Sequence, residues 1–112
     1  MSGHIQPDGI SVERRGDVVE VAGTLTIATA PEAMLAALPC FESAAVSLRF
    51  DLAKLQRTDS AGLAVLLEWL RRARRSGKSV EYVGVPTRLR QLAEICELEE
   101  VLGLRKESVS SA

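Results

Sequence analysis

The residues best equipped for chemistry stand together at Thr58-Asp59-Ser60-Ala61-Gly62, just ahead of a leucine-rich run. A serine beside a carboxylate invites a nucleophile reading, and such a nucleophile needs a general base within reach. Ser60 has only carboxylates and basic side chains near it in sequence. The single histidine, His4, sits in a polar N-terminal stretch that offers neither a rigid setting nor a partner. The chain has no Walker-type phosphate loop, no GxGxxG, no HExxH and no CxxC. The sequence therefore reads as a non-enzyme. Cys40 and Cys96 lie far apart with no histidine nearby; they are expected to be two buried free thiols, with no metal site.

Ser60 has a structural role available instead. Asp59 and Ser60 are both good N-cap types, and the small pair Ala61-Gly62 lets a first helical turn approach other backbone closely. A capping serine contributes about 1 kcal/mol and needs no further function. Leu63, Leu66, Leu67 and Leu70 recur at i, i+3, i+4 and i+7, which predicts a half-buried helix over Ser60–Ser76, stopped by Gly77. With Leu63 at the centre of that stripe, Val65 and Trp69 turn to the side, and Ala61 and Arg72 continue the same flank. Trp69 is then either a rim residue covering the sheet edge or an anchor for a partner, a role in which Trp and Arg are enriched. Arg71, Arg72, Arg74 and Arg75 crowd the last turn, where cations suit the helix dipole. A phosphate- or lipid-binding reading of that run lacks interleaved aromatic residues.

The elements that must position this cluster follow from the patterning. Ile10–Arg14 and Val18–Ala22 alternate apolar and polar across an Arg15-Gly16-Asp17 turn, which predicts a hairpin. Gly23–Thr29 reads as a loop, with Thr29 as N-cap and Pro31 in the first turn of a helix over Ala30–Leu38. That helix turns Met34, Leu35 and Leu38 inward, and Pro39 ends it. Ala44–Asp51 is the central strand, with Val46, Leu48 and Phe50 on one side and Ala45, Ser47, Arg49 and Asp51 on the other; a loop follows. A parallel strand covered on both faces would be apolar throughout, so one sheet face is expected to be open. Ser79–Val85 is the last strand. Thr87–Leu98 is the last helix, with Leu89, Leu92, Ala93 and Cys96 inward. The fold class is α/β, a small mixed sheet with helices mainly on one face in the order ββαβαβα. Residues 1–9 and 105–112 are expected to be flexible tails around one domain over 10–104.

Composition narrows the function classes. The 112 residues carry a net charge of −1, which gives no general pull toward nucleic acid or anionic lipid. No apolar run reaches the roughly 18–20 residues needed to span a bilayer. The first nine residues lack the basic and apolar segments of a signal peptide, so a cytoplasmic location is expected.

The run Asp59-Ser60-Ala61-Gly62-Leu63 resembles the signature loop of STAS domains, which typically reads Asp-Ser-Ser-Gly or Asp-Thr-Gly-Gly before leucine. The resemblance extends from about Ile10 to Leu104 and implies the STAS fold. Two branches are similar. Arg57–Leu67, Gly84-Val-Pro86 and Leu89–Leu98 look like MlaB-type proteins, the STAS subunits of the Mla phospholipid ABC transporter. That likeness implies a non-catalytic subunit bound to an MlaF-like ATPase, peripheral at the inner membrane through its partner. MlaB-type proteins often carry threonine and a glycine pair where this chain has Ser60-Ala61-Gly62, which is closer to the anti-sigma factor antagonists. That second likeness implies a serine-kinase partner and phosphorylation of Ser60. Thr58, Asp59, Ser60, Ala61, Val65, Trp69 and Arg72 are the expected partner-binding residues. Some STAS relatives bind purine nucleotides, but this chain offers no phosphate loop for that role and no cofactor is expected.

Overall fold

Alternating side chains build a four-stranded sheet, and amphipathic helices cover one side of it. The computed structural model describes residues 9–104. The elements run β1 (Ile10–Arg15), β2 (Val18–Leu25), α1 (Ala30–Ala36), α2 (Leu38–Phe41), β3 (Ser47–Thr58), α3 (Ser60–Arg75), β4 (Ser79–Val83), α4 (Thr87–Ile95) and α5 (Glu99–Leu102). The sheet order is β1-β2-β3-β4. β1 and β2 form the expected antiparallel hairpin, with Arg15 opposite Val18. β3 lies parallel to both β2 and β4, with Phe50 opposite Val19 on one side and Tyr82 on the other. His4 and the expected tails fall outside the described residues, apart from Gly9.

The two sheet faces differ as the alternation requires. Val19, Val21, Leu48, Phe50, Leu52 and Tyr82 are buried under the helices. The Phe50 ring is the hub. Phe41 of α2 lies 6.1 Å from it, Trp69 of α3 5.0 Å and Tyr82 5.8 Å, centroid to centroid. The Tyr82 hydroxyl donates to the Leu66 carbonyl at 2.7 Å, and burial pushes its phenol well above the usual tyrosine range. The opposite face is polar and exposed. Ser47 and Ser79 share a 3.1 Å hydroxyl contact, Arg49 pairs with Glu81 at 3.3 Å, and Lys54 pairs with Glu20 at 3.0 Å.

Several local expectations are corrected. β3 does not end at Asp51; it continues through the segment read as a loop, to Thr58. The apolar spacing breaks there, because Leu52 and Leu55 are both buried although three residues apart. Register shifts against β2 at Glu20/Ala22 and Gly23/Thr24 absorb the break, as a bulge does. β2 is lengthened to match, reaching Leu25. Val46 precedes the strand and is exposed. The first helix stops at Ala36, and Pro39 opens α2 rather than ending α1, since a proline in a first turn lacks a donor that would be unpaired anyway. Small residues face the sheet here, Ala33 and Ala37, followed by Cys40 and Phe41, while Leu35 is exposed. Thr29 is the N-cap residue of α1 by position, yet its hydroxyl donates to the Thr24 carbonyl at 2.7 Å and accepts from the Thr26 N–H at 3.1 Å instead. α4 ends at Ile95, three residues earlier than expected. Cys96, past its end, is exposed, so only Cys40 is the buried thiol, and burial pushes that thiol up.

Candidate functional site

The first turn of α3 meets the β2–α1 loop and the end of β3, and Asp59 joins them. Asp59 is in an extended conformation, with φ −143° and ψ −170°, as an N-cap residue should be. Its Oδ1 accepts from the Ala61 N–H at 2.8 Å, and its Oδ2 accepts from the Ile27 N–H at 3.2 Å. One carboxylate therefore caps the helix and tethers the loop. The cap lies one residue earlier than the reading that gave it to Ser60. Ser60 is the first helical residue, exposed, and its hydroxyl makes no hydrogen bond among the described residues. Asp59→Ala should lower stability by about 1–2 kcal/mol, because both the cap and the tether are lost. Ser60→Ala should cost under about 0.5 kcal/mol, as for an ordinary surface position. Chemical denaturation of the two variants checks the order.

Gly62 explains how closely this turn packs. A Cβ there would stand 3.3 Å from the Leu25 carbonyl oxygen and 3.4 Å from Leu89 Cδ2, so β2, α3 and α4 converge at this point. Thr58, Asp59 and Ala61 are half-buried around the exposed Ser60, and Arg72 lies exposed farther along α3. Val65 and Trp69 do not join this surface. Each is 1% exposed, inside the core. The buried side of the helix carries Gly62, Leu63, Val65, Leu66, Trp69 and Ala73, so Leu63 and Leu66 are inward as expected, but the stripe is rotated toward Trp69 and Ala73, and Leu67 and Leu70 sit half-buried at its margin. The partner-anchor reading of Trp69 and Val65 is thereby overturned: the flank holds two core residues between the accessible Ala61 and Arg72. Arg72 itself lies 3.8 Å from Glu68, which also pairs with Arg71.

Two features escaped the sequence reading. Ile27, in the tethered loop, is 76% exposed. Beside the same end of the fold runs a groove of about 340 Å³, lined by Thr26, Leu55, Gln56, Arg57, Thr58, Pro86 and Arg88. The threonine-rich Thr24–Thr29 stretch around a lone isoleucine was the available signal for the first. The second is made by residues far apart in the chain, and no local pattern marks it.

The Asp59 carboxylate is occupied by two N–H donors, so it is poorly placed to act as a base for Ser60. Among the described residues, no three His, Cys, Asp or Glu side chains are grouped to hold a metal ion, and no helix is long and apolar enough to cross a membrane.

Comparison with known proteins fits this architecture. The model of the family described as "Mlab, STAS domain" matches residues 9–105. An anti-sigma factor antagonist from Mycobacterium paratuberculosis shares the fold at a TM-score of 0.67 and 22% identity, over 88% of this chain and 86% of that one. The Bacillus cell fate determinant SpoIIAA in its phosphorylated form aligns at a TM-score of 0.61 and 14% identity, over 81% of this chain and 86% of that one. SpoIIAA in its unphosphorylated form aligns at 0.57 and 15% identity, over 77% and 82%. No curated protein matches the sequence.

Proposed function

The chain belongs to the MlaB-type STAS domain family, and on that premise we propose that it is a non-catalytic subunit. It docks on the cytoplasmic ATPase of an Mla-type phospholipid ABC transporter and supports that enzyme's assembly and activity. The ATP chemistry belongs to the partner, and the chain stays on the cytoplasmic side of the inner membrane through it. The observation that carries this reading is the exposed end formed by Ser60 and the tethered Ile27, a polar rim with one large apolar side chain left in solvent. Thr58, Asp59, Ser60, Ala61 and Arg72 are the contact residues proposed here, with Ile27 added and Val65 and Trp69 withdrawn.

Ser60→Asp tests the docking surface. The hydroxyl makes no bond that folding needs, so the variant should melt as the wild type does. The added carboxylate would have to be desolvated under the partner, so affinity for the ATPase subunit should fall tenfold or more. Calorimetric binding and thermal melting on one preparation check both. Unchanged affinity would remove Ser60 from the interface.

A second reading rests on a specific observation. Ser60 is an exposed, unbonded hydroxyl at the first position of a long helix, where a phosphate meets free N–H groups and the positive end of the dipole. That suits an anti-sigma factor antagonist phosphorylated on Ser60 and partnered by a serine kinase; SpoIIAA, which shares the fold, has a phosphorylated form. A pull-down from the native cell separates the two. Recovery of an ABC-type ATPase supports the first reading, and recovery of a serine kinase without an ATPase supports the second.

A further inference from the structure

We infer that the groove beside the start of α3 receives an acidic, partly apolar segment of the protein partner. This rests on the reading above, that the Ser60 end is the docking end. Leu55 and Pro86 give the lining its apolar part, and the groove's volume of about 340 Å³ holds a few side chains rather than a whole helix. Two guanidinium groups stand on its rim, Arg57 at the end of β3 and Arg88 in the first turn of α4. Both are exposed, and among the described residues neither makes a hydrogen bond or an ion pair. The cations of the open sheet face differ: Arg49 is held by Glu81 and Lys54 by Glu20. None of the seven lining residues is acidic. Among the described residues, the groove's lining therefore supplies no counter-charge of its own.

Guanidinium groups take carboxylates and phosphates in the same forked geometry. The lining decides between their sources. It contains no aromatic side chain on which a base could stack, as nucleotide and single-strand sites commonly provide. A leucine-like side chain fits against Leu55 and Pro86, and flanking carboxylates fit Arg57 and Arg88. An Asp/Glu-Leu-Asp/Glu pattern on the partner supplies both. The same electrostatics accounts for the direction expected of Ser60→Asp, since a new carboxylate there would face an acidic occupant.

The test has two arms. In the first, ATPase-subunit affinity is measured for wild type, for Arg57→Glu/Arg88→Glu, and for Arg14→Glu/Arg15→Glu. The last pair carries the same charge change at the exposed end of β1, at the opposite end of the sheet from Thr58 and outside the groove. The groove variant should bind at least tenfold more weakly, with the difference shrinking at high salt, and the control should stay within twofold. Both should melt close to the wild type. In the second arm, isotope-labelled wild-type protein is titrated with the peptide Glu-Leu-Asp-Leu-Glu and with its neutral counterpart Gln-Leu-Asn-Leu-Gln. Amide shifts should gather at Thr26, Gln56, Arg57, Thr58 and Arg88 with the acidic peptide alone. If the ATPase binds the groove variant as tightly as wild type, the groove assignment falls and the functional reading stands. If wild type does not bind the ATPase while the acidic peptide maps to the groove, the functional reading falls and the groove stands. Shifts confined to other residues, or a groove that responds to inorganic phosphate or ATP and not to the peptide, overturn the inference.

Discussion

Trp69→Ala should lower folding stability by about 3–5 kcal/mol, the range for truncating a buried aromatic residue. For a domain of this size, that shifts Tm downward by on the order of 15 °C or more. The indole is 1% exposed and its ring centre is 5.0 Å from that of Phe50, so its removal empties the middle of the aromatic cluster under the sheet. Partner binding should be lost only as the fold is lost. Trp69→Phe should cost much less. It gives up volume, but it also deletes the Trp69 Nε1 donor, which is buried with no hydrogen-bond partner among the described residues. Thermal melts of the three proteins, with ATPase-subunit affinity measured below each transition, check this. A Trp69→Ala protein that melts like the wild type and has lost only its partner would return Trp69 to the surface.

Gly23→Ala should be nearly as damaging, at about 3 kcal/mol. Gly23 lies within β2 at φ +103°, a region L-residues rarely enter. An added Cβ would also overlap the Gly9 carbonyl oxygen, which is backbone and accepts the Thr24 N–H at 2.8 Å. No rotamer change relieves that overlap, so the chain entering β1 would have to move away from β2. Gly77→Ala is the control. Its φ of +73° is also positive, but a Cβ there meets nothing within 4 Å, so only backbone strain of about 1 kcal/mol is expected. Urea denaturation of the pair separates the clash from the strain. Equal losses would show that the contact with Gly9 gives way easily.

The architecture was legible in the sequence because period-two alternation and helical periodicity are local signals. Val18–Ala22 and the leucines after Ser60 announce a strand and a helix without reference to anything else. What escaped depends on partners distant in the chain. The extension of β3 through Leu55 needs β2 alongside and a register shift to accommodate it. The centre of the α3 stripe needs the position of Phe50: leucine count alone places it at Leu63, whereas the sheet draws in Trp69. Asp59 and Ser60 are equally good cap types on paper, and the tether to Ile27 picks out Asp59. Arg57 and Arg88 become neighbours of one groove only when the end of β3 and the start of α4 meet.

The burial of Trp69 also decides what light can report. It is the chain's single tryptophan, so intrinsic indole emission comes from one site at the centre of the core. Its spectrum should sit toward the blue while the protein is folded and move toward the red when water reaches the ring. None of the seven groove residues carries an indole, and an acidic peptide of Glu, Leu and Asp adds none. Docking of such a peptide should therefore leave the emission silent, while unfolding changes it fully. A single fluorimeter trace can then tell a variant that has lost its grip on the peptide from one that has lost its fold.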